Sequence, residues 1–257
     1  MCVISYAGWG SKKETPDNIV KMDKANPDGI GFSCIDSGNV IWEKGITVER
    51  AIALVEKYPL PQVLHFRIKT VGSKRSELCH PFPILKNGNN PLVGSTNNGV
   101  LFHNGHWGDW KKNLLQMVLS TPSLEEFPEG DWSDSRAIAL MVAYKGKEIL
   151  KLISGGKFLL MLPNKVFYWG DFYDYENRKY SNITWNSTKT VLTPTVTYTY
   201  WPEYDQVLHA GRYKKKSSTV NEVSFYDDND IVLPDKIDNI TELDLDRIDN
   251  ITELYLD

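Results

Sequence analysis

Cys2-Val3-Ile4-Ser5-Tyr6-Ala7, closed off by Gly8 and Gly10, is a β-branched apolar run that starts one residue into the chain. It is expected to be a buried strand, which makes the N-terminus part of a sheet. Working outward, Gly29 to Cys34 and Asn39 to Glu43 form two further strand patterns. They are joined by Asp36-Ser37-Gly38, residues that tolerate positive φ, so the pair is expected to be a hairpin. The stretch around Pro16 is expected to be a polar loop. Thr47 stands before Glu49 to Lys57, where apolar residues recur at helical spacing, and Pro61 closes that helix. Val63 to Ile68 alternates as a half-buried strand does. Trp110 to Leu119 and Asp134 to Tyr144 carry two more helical patterns, and Ile149 to Ile153, Phe158 to Leu162 and Val166 to Trp169 suggest a meander of strands linked at Gly155-Gly156 and Pro163-Asn164. Strands, helices and strands again imply an α+β domain packed in layers, spanning residues 1–188.

The 257 residues are 41% hydrophobic and 24% charged, which suits a globular chain and excludes disorder throughout. With 29 Lys and Arg against 33 Asp and Glu, there is no overall basic field to hold nucleic acid, and none is predicted as a partner. The three cysteines, Cys2, Cys34 and Cys79, have no paired spacing, so neither a disulfide framework nor a zinc motif is expected, and a cytoplasmic location fits. No apolar run approaches the ~18 residues of a membrane span, and the opening stretch lacks the basic start of a signal peptide. Residues 189–234 form a polar extension containing Arg212-Tyr213-Lys214-Lys215-Lys216. Residues 235–257 are an acidic tail of eight acids and two bases, in which Ile237-Asp238-Asn239-Ile240-Thr241-Glu242-Leu243 recurs from Ile248. That tail is either solvated or a docking segment for a basic partner.

Cysteine at position two carries the first chemical signal. Removal of Met1 places a thiol and a free α-amine on one residue, a nucleophile with its own base, because the two groups titrate at about 8.5 and about 8. Read alone, an N-terminal Cys in an apolar strand is more often a small buried hydrophobe. Further along stand Asn26-Pro27-Asp28-Gly29-Ile30-Gly31-Phe32, His65-Phe66-Arg67-Ile68-Lys69-Thr70, Cys79-His80-Pro81-Phe82, His103-Asn104-Gly105, Ser133-Asp134-Ser135 and Tyr180-Ser181-Asn182. Together with Met1-Cys2, and in this order, they resemble the motifs of the class II, N-terminal nucleophile (Ntn) glutamine amidotransferases, across about residues 2–187.

The resemblance implies a four-layer αββα sandwich of two antiparallel sheets flanked by helices. It also implies hydrolysis of the glutamine side-chain amide by Cys2 to glutamate and ammonia, without cofactor or metal. Asn104, through its side-chain NH₂, and Gly105, through a backbone N–H with no Cβ in the way, suit an oxyanion hole. Arg67 offers a planar cation for the substrate's α-carboxylate and Asp134 a carboxylate for its α-ammonium. The resemblance adds Thr70 and His80 to the substrate-binding residues. Out of that context the favoured readings are Arg67 as a surface ion-pair partner and Asp134 as a helix N-cap. His65, His80 and His103 lack the spacing of a zinc helix and are expected to pack or hydrogen-bond. Cys34 and Cys79 are expected to be inert thiols. Two departures from the pattern, Lys69 in place of a small residue and Arg136 after Asp134-Ser135, are expected to add positive charge near a glutamate-like product. Because residues 189–257 hold no phosphate-binding glycine-rich loop, the ammonia acceptor is expected to be an enzyme on another chain. The alternatives are an amidase for a different γ-glutamyl amide, and a catalytically silent binding or regulatory protein acting through its acidic tail.

Overall fold

The computed structural model describes residues 1–68, 75–121, 129–154 and 156–186. The expected domain end at 188, the basic cluster and the acidic tail lie outside them, as do Lys69 and Thr70.

The opening run is strand β1 (Val3–Ala7), with every residue buried. Its side chains alternate between two apolar environments: Val3 faces one core and Ile4 and Tyr6 another, which is why the strand is apolar on both faces. It is followed by α1 (Pro16–Ala25), β2 (Ile30–Asp36), β3 (Asn39–Ile46), α2 (Val48–Lys57) and β4 (Gln62–Phe66). Next come the short strands β5 (Phe82–Pro83) and β6 (Val93–Thr96), then β7 (Val100–Asn104), α3 (Trp110–Leu119) and α4 (Asp134–Lys145). The series closes with β8 (Lys157–Leu162), β9 (Lys165–Trp169), β10 (Tyr173–Tyr175) and β11 (Arg178–Tyr180).

The strands form two sheets in which neighbours pair antiparallel, one ordered β10-β11-β1-β4-β2-β3-β6 and the other β5-β7-β8-β9. Three cores set the layering. Ile19 and Met22 of α1 and Ala51, Leu54 and Val55 of α2 pack on Val3, Phe32, Leu64 and Phe66 of the larger sheet. Ile4, Val40, Trp42 and Val63 on its other face meet Val100, Phe102, Leu159 and Met161 of the smaller sheet. Leu101, Phe158 and Leu160 of that sheet then receive Ile138, Ala139 and Val142 of α4, on which α3 packs. The result is helix, sheet, sheet, helix, four layers in an α+β domain. Each large aliphatic or aromatic side chain in these cores contributes about 1.5–3 kcal/mol.

The hairpin closes as expected, Ser37 and Gly38 both at positive φ (48° and 76°) and Asp36 paired with Asn39. Helices α2, α3 and α4 lie within a residue or two of their expected bounds. Three expectations are corrected. The polar loop at Pro16 is the helix α1: Thr15 accepts a hydrogen bond from Asn18 N (3.2 Å) as N-cap, and Pro16 occupies the first turn, where its missing N–H costs nothing. The strand expected at Ile149 to Ile153 is instead a 3₁₀ turn, Lys147–Lys151, in which Leu150 is buried, followed by exposed Leu152 and buried Ile153. Strand β4 is buried throughout rather than on one face, because it lies inside the larger sheet between α2 and the smaller sheet. Strands β5, β6, β7, β10 and β11 were not expected as strands from local pattern. No helix among the described residues is long and apolar enough to cross a membrane.

Candidate active site

The C-terminal ends of β4 and β7, the start of β1 and the first turn of α4 converge on one cavity, whose walls include Cys2, Arg67, His80, His103, Gly105 and Asp134. Cys2 is half-buried there. Its Sγ lies 3.4 Å from the Ile68 N–H and 3.5 Å from the Ile68 carbonyl. Burial pushes the Cys2 thiol up, while the Ile68 amide, the terminal ammonium and Arg67 pull it back.

The backbone around Cys2 is held from outside β1. Its carbonyl accepts hydrogen bonds from the side-chain NH₂ of Asn104 (2.6 Å) and from that of Asn182. Asn182 Oδ1 accepts from Thr184 N (3.1 Å) and Oγ1 (2.8 Å), which fixes the flip of its amide and turns the NH₂ toward Cys2. Ser181 Oγ accepts from Ile4 N (2.9 Å) and from Asn104 Nδ2 (2.8 Å). Both Asn104 protons are therefore engaged, one by the Cys2 carbonyl and one by Ser181. The expected donation of Asn104 to a substrate oxyanion is not what this arrangement displays; the side chain grips the nucleophile's own backbone, and Gly105 is the member of that pair on the cavity wall.

Arg67 follows β4 and is buried, its main chain held by Arg67 N to Gly29 O (2.9 Å) and Asp28 N to Arg67 O (3.0 Å). Asp134 opens α4. Ser133 is the N-cap, its hydroxyl accepting from Arg136 N (3.2 Å), so the reading of Asp134 as N-cap is corrected. The Asp134 carboxylate instead takes Ser135 N (2.7 Å) and Oγ (3.2 Å) on Oδ1 and Trp107 N (3.0 Å) on Oδ2. One Oδ2 direction remains, with His103 and His106 Nδ1 each at 3.8 Å. An acid in the first turn also meets the positive end of the helix dipole.

The three buried histidines, His65, His80 and His103, are held below the ordinary histidine range. Burial lowers His65 to about 3. Burial holds His80 well below the usual histidine range, with His65, His103, Lys44 and Arg67 adding to the effect. Burial lowers His103 to about 4 although Asp134 pulls the other way. His65 and His80 lie with ring centroids 4.0 Å apart, and His103 stacks on Phe158 at 4.7 Å. His103 Nδ1 lies 3.0 Å from Ser135 Oγ. Asp134 and Ser135 approach the same ring nitrogen, so the trio is not a catalytic triad, which needs the acid and the nucleophile on opposite nitrogens. His80 is carried to the wall by a close approach: a Cβ on Gly31 would lie 1.6 Å from the His80 carbonyl, so only glycine fits there. Among the described residues no group of three or more His, Cys, Asp or Glu is arranged to hold a metal. Cys34 and Cys79 are buried, and burial pushes both thiols up, Cys34 to about 12.

Arg136 corrects a second expectation. Its guanidinium does not line the cavity: it is buried behind the wall, donating to the carbonyls of Gly88 (3.0 Å), Glu129 (2.6 Å) and Asp131 (2.8 Å). The sequence reading missed the aromatic part of the wall, Trp110 and Trp132, and His106 beside them. Trp132 immediately precedes the Ser133-Asp134-Ser135 motif, which was the available signal.

No family profile and no curated protein matches the chain. Among solved structures it is similar to glutamine phosphoribosylpyrophosphate amidotransferase from B. subtilis complexed with ADP and GMP, at 15% identity and a TM-score of 0.46. A second similar structure is that of the allosteric regulatory enzyme of purine biosynthesis, at 17% and 0.47. Each match covers 70% of this chain and 41% of the other, so the chain spans less than half the length of either. It is also similar to a glutamine aminotransferase class-II domain protein from Silicibacter pomeroyi, at 12% identity and a TM-score of 0.38, over 70% of this chain and 86% of that one.

Proposed function

We infer that this protein hydrolyses the side-chain amide of glutamine with Cys2 as nucleophile, in the manner of class II glutamine amidotransferases, and passes the ammonia to an acceptor enzyme on another chain. The observation that carries this reading is that Cys2, Arg67 and Asp134, from three separate elements, line one cavity. A thiol, a guanidinium and a carboxylate are the three groups an amide-bearing amino acid requires.

In the chain described here Cys2 is joined to Met1, which is 73% exposed and open to removal. Cleavage of the Met1–Cys2 peptide bond frees the amine that serves as base. That amine takes the thiol proton, and sulfur bonds to the amide carbon. The C–N bond then breaks as the proton passes to departing ammonia, and water cleaves the γ-glutamyl thioester to glutamate. Gly105 N–H supplies a donor at the developing oxyanion, while Asn104 and Asn182 hold the Cys2 carbonyl and so aim its side chain. Arg67 and the open direction of Asp134 Oδ2 take the α-carboxylate and α-ammonium, His80 forms part of the wall, and Thr70 joins them by resemblance. The test is ammonia release from L-glutamine by protein whose N-terminal residue is verified as Cys2. Turnover abolished by Cys2→Ala supports the reading. Hydrolysis of γ-glutamyl peptides without hydrolysis of glutamine moves the substrate to another γ-glutamyl amide, and no hydrolysis of either refutes the enzyme reading.

A further inference from the structure

Arg136 sits in the first turn of α4 and is 5% exposed. Its guanidinium donates through Nη1 to Asp131 O (2.8 Å) and through Nη2 to Gly88 O (3.0 Å) and Glu129 O (2.6 Å), joining two loops that are distant in sequence. The same guanidinium lies 4.3 Å from the ring centroid of Trp132, whose indole is part of the cavity wall. Burying an arginine is costly, and its Nε has no hydrogen-bond partner among the described residues. The start of α4 does not need it either, because Ser133 already caps the helix. Burial lowers Arg136 to about 10, Asp131 opposing, so the group is still a cation at neutral pH. The unpaired donor and the redundant cap make helix stability a poor account of this residue.

We propose that Arg136 is a positioning residue that fixes Trp132 as the apolar wall of the substrate cavity and so sets affinity for the aliphatic portion of a γ-glutamyl amide. The inference rests on reading the cavity as the amide-hydrolysing site. The flat, delocalised cation supports the indole from behind while three carbonyls fix the cation. Trp132 is thereby held next to Ser133 and Asp134 on one continuous strip of wall. Lysine cannot substitute, since a single ammonium has neither the planar fork nor the stacking face.

The test uses the full chain with Cys2 exposed as first residue, and the variants Arg136→Lys, Trp132→Ala and the double variant. Arg136→Lys is expected to raise KM for the hydrolysed amide about tenfold while kcat stays within about twofold, the scale of one lost cation–π and hydrogen-bonded contact. Trp132→Ala is expected to raise KM similarly, and the double variant little further, because both act through one wall. Acrylamide quenching of the Trp132 emission, taken as the difference from Trp132→Phe, is expected to increase in Arg136→Lys. A cooperatively melting Arg136→Lys with wild-type KM overturns the proposal, as does raised KM with unchanged quenching. Should Arg136→Lys fail to fold, Trp132→Ala, which leaves the carbonyl contacts in place, decides alone, and a wild-type KM overturns it. A wild-type protein that hydrolyses no amide refutes the cavity reading instead, and the quenching comparison still shows whether Arg136 holds Trp132.

Discussion

The side-chain amide of Asn182 donates to the backbone carbonyl of Cys2, 180 residues earlier in the chain. Asn104 donates to the same oxygen at 2.6 Å, so the residue that carries the thiol is held from the end of β7 and from the segment that follows β11. Asn182→Ala is expected to lower kcat for amide hydrolysis about tenfold with KM changed less than twofold, the effect of freeing one charge-aligned backbone contact at the nucleophile. Asn182→Asp, which places a carboxylate against a carbonyl, is expected to be worse. Steady-state kinetics check both; a pure KM effect would place Asn182 with the substrate instead.

Cys2→Ala and Cys2→Ser are expected to reduce hydrolysis below a tenth of wild type without lowering the melting temperature, since only a half-buried sulfur at the cavity edge changes. An N-terminal tag that stays attached is expected to be equally damaging, because the base is the Cys2 amine. Mass spectrometry of the N-terminus alongside an ammonia assay decides this, and an active, uncleaved tagged protein refutes the mechanism.

Arg67→Ala and Asp134→Ala are expected to raise KM more than they lower kcat, because they meet charges already present in the free substrate. Asn104→Ala is expected to do the reverse, since it loosens Cys2 without touching the substrate's ends. Melting curves on the same samples separate these effects from unfolding, which matters for Asp134 because it also holds Trp107 N at 3.0 Å.

Acid is expected to destabilise the fold through its buried histidines. His65 at about 3 and His103 at about 4 in the folded chain lie below the ordinary value of about 6.5, and His80 is shifted the same way. Between pH 4 and 6.5 the unfolded chain therefore binds more protons than the folded one, so stability rises with pH across that window and is lost as pH falls through it. Thermal midpoints from pH 4 to 7 should show the rise, and His65→Leu should flatten it. An unchanged slope in that variant would mean that another group governs the acid limb.

Glu14 is expected to be among the most sensitive positions for stability. Its buried carboxylate accepts from Ser5 Oγ (2.6 Å), Tyr180 Oη (2.7 Å) and Asn18 Nδ2 (2.9 Å) and pairs with buried Arg178 at 3.3 Å, tying β1, β11 and α1 together. Glu14→Ala leaves Arg178 with only the half-exposed Glu176 carboxylate and the Lys13 carbonyl (2.8 Å) and removes the acceptor of Ser5, Asn18 and Tyr180, and it is expected to cost about 3 kcal/mol, read from denaturant midpoints. Glu14→Gln, which keeps part of the network, is expected to cost less, and the opposite order would refute the ion-pair account.

Local pattern in the sequence determined the opening strand, the Ser37-Gly38 hairpin, helices α2, α3 and α4 and the strands β8 and β9, because periodicity, caps and turn residues act within a few residues of each other. The ordered motifs likewise marked Cys2, Arg67, His80, Gly105 and Asp134 as candidates for one site, and the structure brings these five to one cavity. Other features were written locally but misread: Thr15-Pro16 is a cap and first turn, and Leu150 is buried in a 3₁₀ turn rather than in a strand. Only the tertiary structure decided the rest. The pairing of β11 with β1 in register Ser5 to Tyr180 brings Ser181 to Ile4 and Asn182 to Cys2, and the packing of two loops around α4 turns Arg136 from an expected cavity charge into a buried brace. Contacts across 48 to 180 residues depend on strand register and on which face each element buries, and no window of sequence contains both partners.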